Sequence, residues 1–209
     1  MIHALPGMGA NKRMFLVPWS ELPRFVAHDW IRHHGEKTLA EVARSMCAAC
    51  DIRDGDTLVG ASLGGMVACE ITKIRKIQTL HLVGSATHKE EVSAILSALH
   101  PLAQVAPIDW LRLLAGKIPL EAAQMFGSVE ASFVRAMCEA IFQWEGLVAT
   151  ETETRVFRIH GANDHVIPPP ARADLLLDGG HLISMTHAPQ CVEFIKVTMK
   201  HPNPVHARD

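Results

Sequence analysis

The sequence predicts an α/β protein, a three-layer α/β/α sandwich with a mostly parallel sheet of about six strands. Three observations lead there. Short apolar runs alternate with helix-patterned stretches along most of the chain. Gly60-Ala61-Ser62-Leu63-Gly64 stands between a strand-like run and a helix-like one. The 209 residues, 48% of them hydrophobic, suffice for one well-buried domain and fall short of two.

Taken in order, the expected strands are 1–5, 24–28, 57–61, 79–83, 155–160 and 173–177, each a short apolar run rather than a helix-length one. A short helix is expected at 12–20 and a firmer one at 38–51. A third follows the serine over 64–74, and 189–200 closes the domain. One region breaks the alternation. Val92, Ile95, Leu96 and Leu99 fall at i, i+3, i+4 and i+7, and Val129, Phe133, Met137, Ala140, Ile141 and Trp144 repeat helical spacing further on. Pro101, Pro107 and Pro119 separate these pieces. The expected organisation is therefore a core of residues 1–88 and 145–201. A helical cap, 89–144, is inserted after the fourth strand and lies over one end of the sheet, and 202–209 form a tail.

Composition excludes several classes of function. The net charge of −2 and the lack of a Lys/Arg cluster speak against a nucleic-acid partner. Thirteen histidines are scattered without metal-ligand spacing, and His33-His34 reads as a solvated turn, so no metal site is expected. No apolar run is long enough to span a membrane. Strand-like sequence from Met1 leaves no room for a signal peptide, and the five cysteines are an odd number, so a reducing, cytoplasmic location is expected. Cys47-Ala-Ala-Cys50 lies late in its helix, away from an N-terminus that would lower a thiol pKa. Both cysteines read as small buried hydrophobes.

The chemistry gathers around Ser62. A tight strand-to-helix turn lifts one side chain above a sheet, and small neighbours are needed where backbones come close. A serine there is a weak nucleophile that needs a base, itself oriented by a third group. Two late segments supply both. Asp164 lies in the loop after the fifth expected strand, and His181 follows Asp178-Gly-Gly after the sixth. All three residues emerge beyond the carboxyl ends of parallel strands, where ligands bind in open α/β sheets. Asp174 and Asp178 compete with Asp164 for the role of acid, though both lie in or beside the last strand. His3, His160 and His165 read as strand-end or loop residues, and His187 as a helix start. Leu5-Pro6-Gly7-Met8-Gly9-Ala10, directly after the first strand, can bend towards the serine. The backbone N–H groups of Met8 and Leu63 would then suit a developing oxyanion.

In these four motifs, in this order from Leu5 to His181, the chain resembles the α/β-hydrolase-fold serine hydrolases of the compact, lidded, carboxylesterase-like kind. The resemblance implies Ser62 as nucleophile, His181 as base, Asp164 as acid, Met8 and Leu63 as oxyanion hole, and 89–144 as the lid. Three departures accompany it. Two extra strands that often precede the first are lacking, Pro6-Gly7 stands where His-Gly is usual, and Asp164 is close to His181 in sequence. That short connection has no room for a full crossover helix. The expected activity is cofactor-free hydrolysis of a small or medium apolar carboxylic ester or thioester, by a monomer or homodimer. Phe126, Phe133 and Met137 are expected to line the acyl pocket. A C–C bond hydrolase or lyase, and a non-catalytic ligand-binding protein, are the alternatives.

Overall fold

The computed structural model describes residues 1–92, 130–147 and 153–200. Among them, six strands form one sheet, with β1 (Ile2–Leu5), β2 (Phe25–Ala27), β3 (Thr57–Ala61), β4 (Thr79–Val83), β5 (Arg155–Gly161) and β6 (Leu175–Leu177) in the order β2-β1-β3-β4-β5-β6. Every pairing is parallel, so all six carboxyl ends lie along one edge. The three central strands β1, β3 and β4 are buried at every position, as expected of a sheet covered on both faces.

The helices divide between those faces. On one lie α1 (Leu39–Ala49), α2 (Leu63–Thr72) and α3 (Ala131–Gln143), packed in a single apolar cluster with Leu5, Leu58, Leu80 and Leu82. On the other lie α4 (Ile183–Thr186) and α5 (Ala188–Lys200), against Ile2, Ala4, Val59, Val83 and Ile159. Helix α1 begins where its sequence says it should. The Thr38 side chain accepts from the Glu41 amide while the Glu41 carboxylate accepts from the Thr38 amide, a capping box. Its buried residues Leu39, Val42, Ala43, Met46 and Cys47 make one helical stripe. Burial pushes the Cys47 thiol up and the Cys50 thiol to about 11, so neither is a ready thiolate at neutral pH.

Two expectations are corrected. The helix expected over 12–20 is instead a pair of 3₁₀ turns, Lys12–Phe15 and Trp19–Glu21, since Pro18 brings no amide to continue a helical ladder. The last strand is three residues long rather than five, and it follows β5 through turns without a helix. Of the segment 89–144, the described parts are a 3₁₀ turn, Lys89–Glu91, and α3. The residues flanking that segment meet where the Leu147 amide donates to the Thr87 carbonyl at 2.8 Å. Helix α3 is fastened to the core by the Trp144 indole, which donates to the buried Glu70 carboxylate at 2.7 Å. The helical stretch 92–99 beyond Val92, and the breaks at Pro101, Pro107 and Pro119, lie outside the described residues. No helix among the described residues is long and apolar enough to cross a membrane.

One buried titratable residue makes the core sensitive to acid. His81 in β4 is fully buried, stacked on Phe157 and hydrogen-bonded to the Thr198 hydroxyl at 2.8 Å. Burial, reinforced by the Arg155 charge, pushes its pKa down to about 3. Between that value and the ordinary 6.5 the unfolded chain binds the proton and the folded chain does not, so stability is complete above 6.5 and falls as pH drops. The expected loss approaches about 1.4 kcal/mol per pH unit, or roughly 2 kcal/mol at pH 5. Thermal melts of wild type and His81→Gln at pH 7 and pH 5 check this. The variant should lose clearly less Tm on acidification, and parallel losses would show that His81 contributes no such slope.

Candidate active site

Ser62 follows the last residue of β3 and stands at the N-cap of α2 with φ 50° and ψ −121°, a conformation that side-chain-bearing residues rarely adopt. The turn is held closed by sterics. A Cβ at Gly60 would overlap the Gly65 backbone, and one at Gly64 would overlap the Leu5 carbonyl. Hydrogen bonds complete it. The Ser62 amide donates to the Val83 carbonyl, and the Ser62 carbonyl accepts from the Gly65 amide at 2.9 Å and from the Ser85 hydroxyl at 2.7 Å. Ser85 is fully buried just past β4. Nothing in its sequence neighbourhood marks it, because its partner is 23 residues away.

The three widely separated polar residues meet at the carboxyl edge of the sheet. Ser62 Oγ lies 3.0 Å from His181 Nε2, and His181 Nδ1 lies 2.8 Å from Asp164 Oδ2. Asp164 is buried, and its other oxygen accepts from the Val166 and Ile167 amides at 2.9 and 3.0 Å. Burial raises the Asp164 pKa. The opposing contributions of His160, His181 and the Ile167 amide outweigh it and hold the carboxyl well below the usual carboxylate range. The ionised carboxylate can only accept, so His181 Nδ1 must donate to it. That leaves the Nε2 lone pair facing the serine hydroxyl.

His160, expected to be an ordinary strand-end or loop residue, instead closes the loop that carries Asp164. Its Nε2 sits 2.7 Å from the Ile167 carbonyl and 3.5 Å from Asp164 Oδ2. The rival acids are engaged elsewhere, Asp174 accepting from the Arg158 amide and Asp178 from the Asn163 side chain. Of the two glycines before His181, a Cβ at Gly179 would press on the His187 ring at 2.6 Å, whereas at Gly180 it would meet only ordinary contact.

The loop after β1 reaches the serine. A Cβ built on Gly7 would lie 3.5 Å from the Ser62 Cβ. The Ala10 amide donates to the Gly7 carbonyl at 3.1 Å, and Gly9 has φ 73°, which is what the third place of a type II turn requires. Among the described residues, the amides of Met8 and Leu63 take no hydrogen-bond acceptor. Of the expected pocket residues, Phe133 is buried against Trp30 with ring centroids 5.2 Å apart, and Met137 is wholly buried within the core. Phe126 lies outside the described residues. Trp30 and Phe133 help to line a cavity of about 320 Å³ with Ala10, Asn11, Arg32 and Glu130 among its other walls. Among the described residues, no group of three or more His, Cys, Asp or Glu is arranged to hold a metal ion.

No protein-family model matches the sequence, and no curated protein matches it significantly. Solved structures do resemble it. An enol-lactonase from Burkholderia xenovorans superposes with a TM-score of 0.78 at 16% identity, covering 96% of this chain and 91% of that one. A thermophilic esterase from Thermogutta terrifontis gives 0.73 at 15% identity, over 95% and 89%. An esterase from a Rhodococcus species gives 0.68 at 19% identity, over 96% and 90%.

Proposed function

We propose that this chain, an α/β-hydrolase by fold, is a serine hydrolase that cleaves small or medium apolar carboxylic esters or thioesters through an acyl-enzyme. The observation that carries the reading is the relay from Ser62 through His181 to Asp164, at 3.0 and 2.8 Å. In this reading Ser62 Oγ attacks the substrate carbonyl while its proton passes to His181 Nε2. Asp164, ionised and buried, stabilises the imidazolium that forms. The Met8 and Leu63 amides receive the oxyanion, and each such donor is worth roughly 10²–10³ in kcat. The tetrahedral intermediate collapses as His181 returns the proton to the leaving alcohol or thiol. Water, activated by the same histidine, then releases the acid and restores the serine. The cap expected over 89–144 belongs to this reading; α3 is its described helix, and 93–129 lie outside the described residues.

Phe133 is the described residue assigned to acyl preference in this reading; it borders a cavity of about 320 Å³ whose lining does not include Ser62 or His181. The test is a panel of p-nitrophenyl esters and matching thioesters of increasing acyl length, run on wild type and on Phe133→Ala. Wild type should prefer short to medium chains. The variant should move the optimum upward, by about fourfold in kcat/KM for each added methylene that gains full burial. An unchanged profile would make Phe133 ordinary core, and the lack of any turnover across the panel would contradict the esterase reading.

A further inference from the structure

We infer that Trp30 is a positioning residue for the oxyanion hole, acting through the peptide group between Gly7 and Met8. The inference rests on the hydrolase reading above. The Trp30 indole N–H donates to the Gly7 carbonyl at 3.0 Å. That carbonyl and the Met8 amide belong to one peptide unit, which is trans. A trans peptide is planar and points its C=O and N–H in opposite directions. Fixing the carbonyl therefore fixes the amide. The Ala10 amide holds the same carbonyl from within the turn at 3.1 Å, a bond between residues three apart that does not tie the turn to the rest of the fold. Trp30 ties it to a distant loop, 23 residues along the chain.

The surroundings agree. Gly7 lies beside Ser62, since a Cβ built on it would come within 3.5 Å of the Ser62 Cβ, so the Gly7–Met8 peptide adjoins the place where a carbonyl on Ser62 would develop charge. The Met8 side chain does not compete for that space, since its sulfur is buried beside the Cys138 thiol of α3 at 3.7 Å. The Gly7 amide is likewise engaged, 3.5 Å from the Met14 sulfur. Trp30 is itself braced against Phe133 of α3. One indole thus links the helix that follows residue 129 to the amide that would bind the oxyanion. A hole held by supporting groups needs no reorganisation when the transition state forms.

Trp30→Phe removes the donor and keeps a ring against Phe133. Turnover of a p-nitrophenyl ester is measured per site titratable with fluorophosphonate, so that loss of folded protein does not count. The expected result is a fall in kcat of about tenfold, less than loss of a hole donor outright, with KM within twofold. Affinity for an alkyl boronic acid, which forms a tetrahedral adduct on the serine, should fall by a similar factor. Should the phenylalanine variant not fold, benzothienylalanine at position 30 keeps the fused ring and lacks only the N–H. Its kcat should fall in the same way. A kcat within twofold of wild type in the folded variant overturns the assignment. So does a lowered kcat with unchanged boronate affinity, which marks a packing role. A wild-type chain that neither cleaves esters nor takes the phosphonate overturns the hydrolase reading, and this inference with it.

Discussion

Ser62→Ala should abolish ester turnover while leaving the fold intact. The side chain hydrogen-bonds to His181, whereas the bonds that shape the turn run through the Ser62 backbone. Alanine meets the same strain at φ 50° that serine already carries, so the substitution adds no new cost at the turn. The expected fall in kcat is on the order of 10⁶-fold, the scale on which a lost nucleophile acts in a serine hydrolase. The melting temperature should stay within a few degrees. Residual hydrolysis within tenfold of wild type, in protein freed of contaminating esterase, would remove Ser62 from the mechanism.

The second large effect is expected at Asp164→Asn. The Val166 and Ile167 amides both point at Oδ1, so the asparagine must place its carbonyl oxygen there. Its NH₂ then takes the position of Oδ2, facing His181 Nδ1. Two donors cannot face each other, so the imidazole must shift its proton to Nε2 and can no longer accept from Ser62. A wrong tautomer of this kind costs about 10⁴-fold in kcat in serine proteases. The geometry here forces it. Asp174→Asn and Asp178→Asn should be mild by comparison, since their carboxylates bind the Arg158 amide and the Asn163 side chain. If either proved the more damaging in a kcat comparison, the acid would have been misplaced.

These two residues were legible in the sequence for a physical reason. A side chain held on a tight strand-to-helix turn needs small neighbours at fixed offsets, so Gly60 and Gly64 mark Ser62 locally. Asp164 and His181 each follow an apolar run that reads as a strand, and a parallel sheet brings all such ends to one edge. The central strands β3 and β4 were legible to the residue, because every position in them is buried and all but His81 are apolar or small.

What was not legible depends on contacts between distant residues. Trp30 sits in a stretch without helical or strand period, and only the fold brings its indole to Gly7. Ser85 carries no mark in the sequence, and only the fold brings its hydroxyl to the Ser62 carbonyl. His160 reads as a strand-end or loop residue, yet it reaches seven residues ahead to the Ile167 carbonyl and braces the loop that carries Asp164. The helix expected over 12–20 failed for the opposite reason. Its apolar spacing is real, and it buries Met14, Phe15 and Trp19, but Pro18 divides it into two short turns that bury the same side chains.

The central claim is that Ser62 is a nucleophile made reactive by its neighbours. Intact-mass spectrometry after treatment with a fluorophosphonate tests it most directly, followed by peptide mapping of the adduct. The account predicts a single adduct per chain, on Ser62, formed within minutes on wild type, absent from Ser62→Ala and slowed by orders of magnitude in Asp164→Asn. An unmodified wild-type chain after prolonged exposure, or an adduct mapped to another residue, would contradict it.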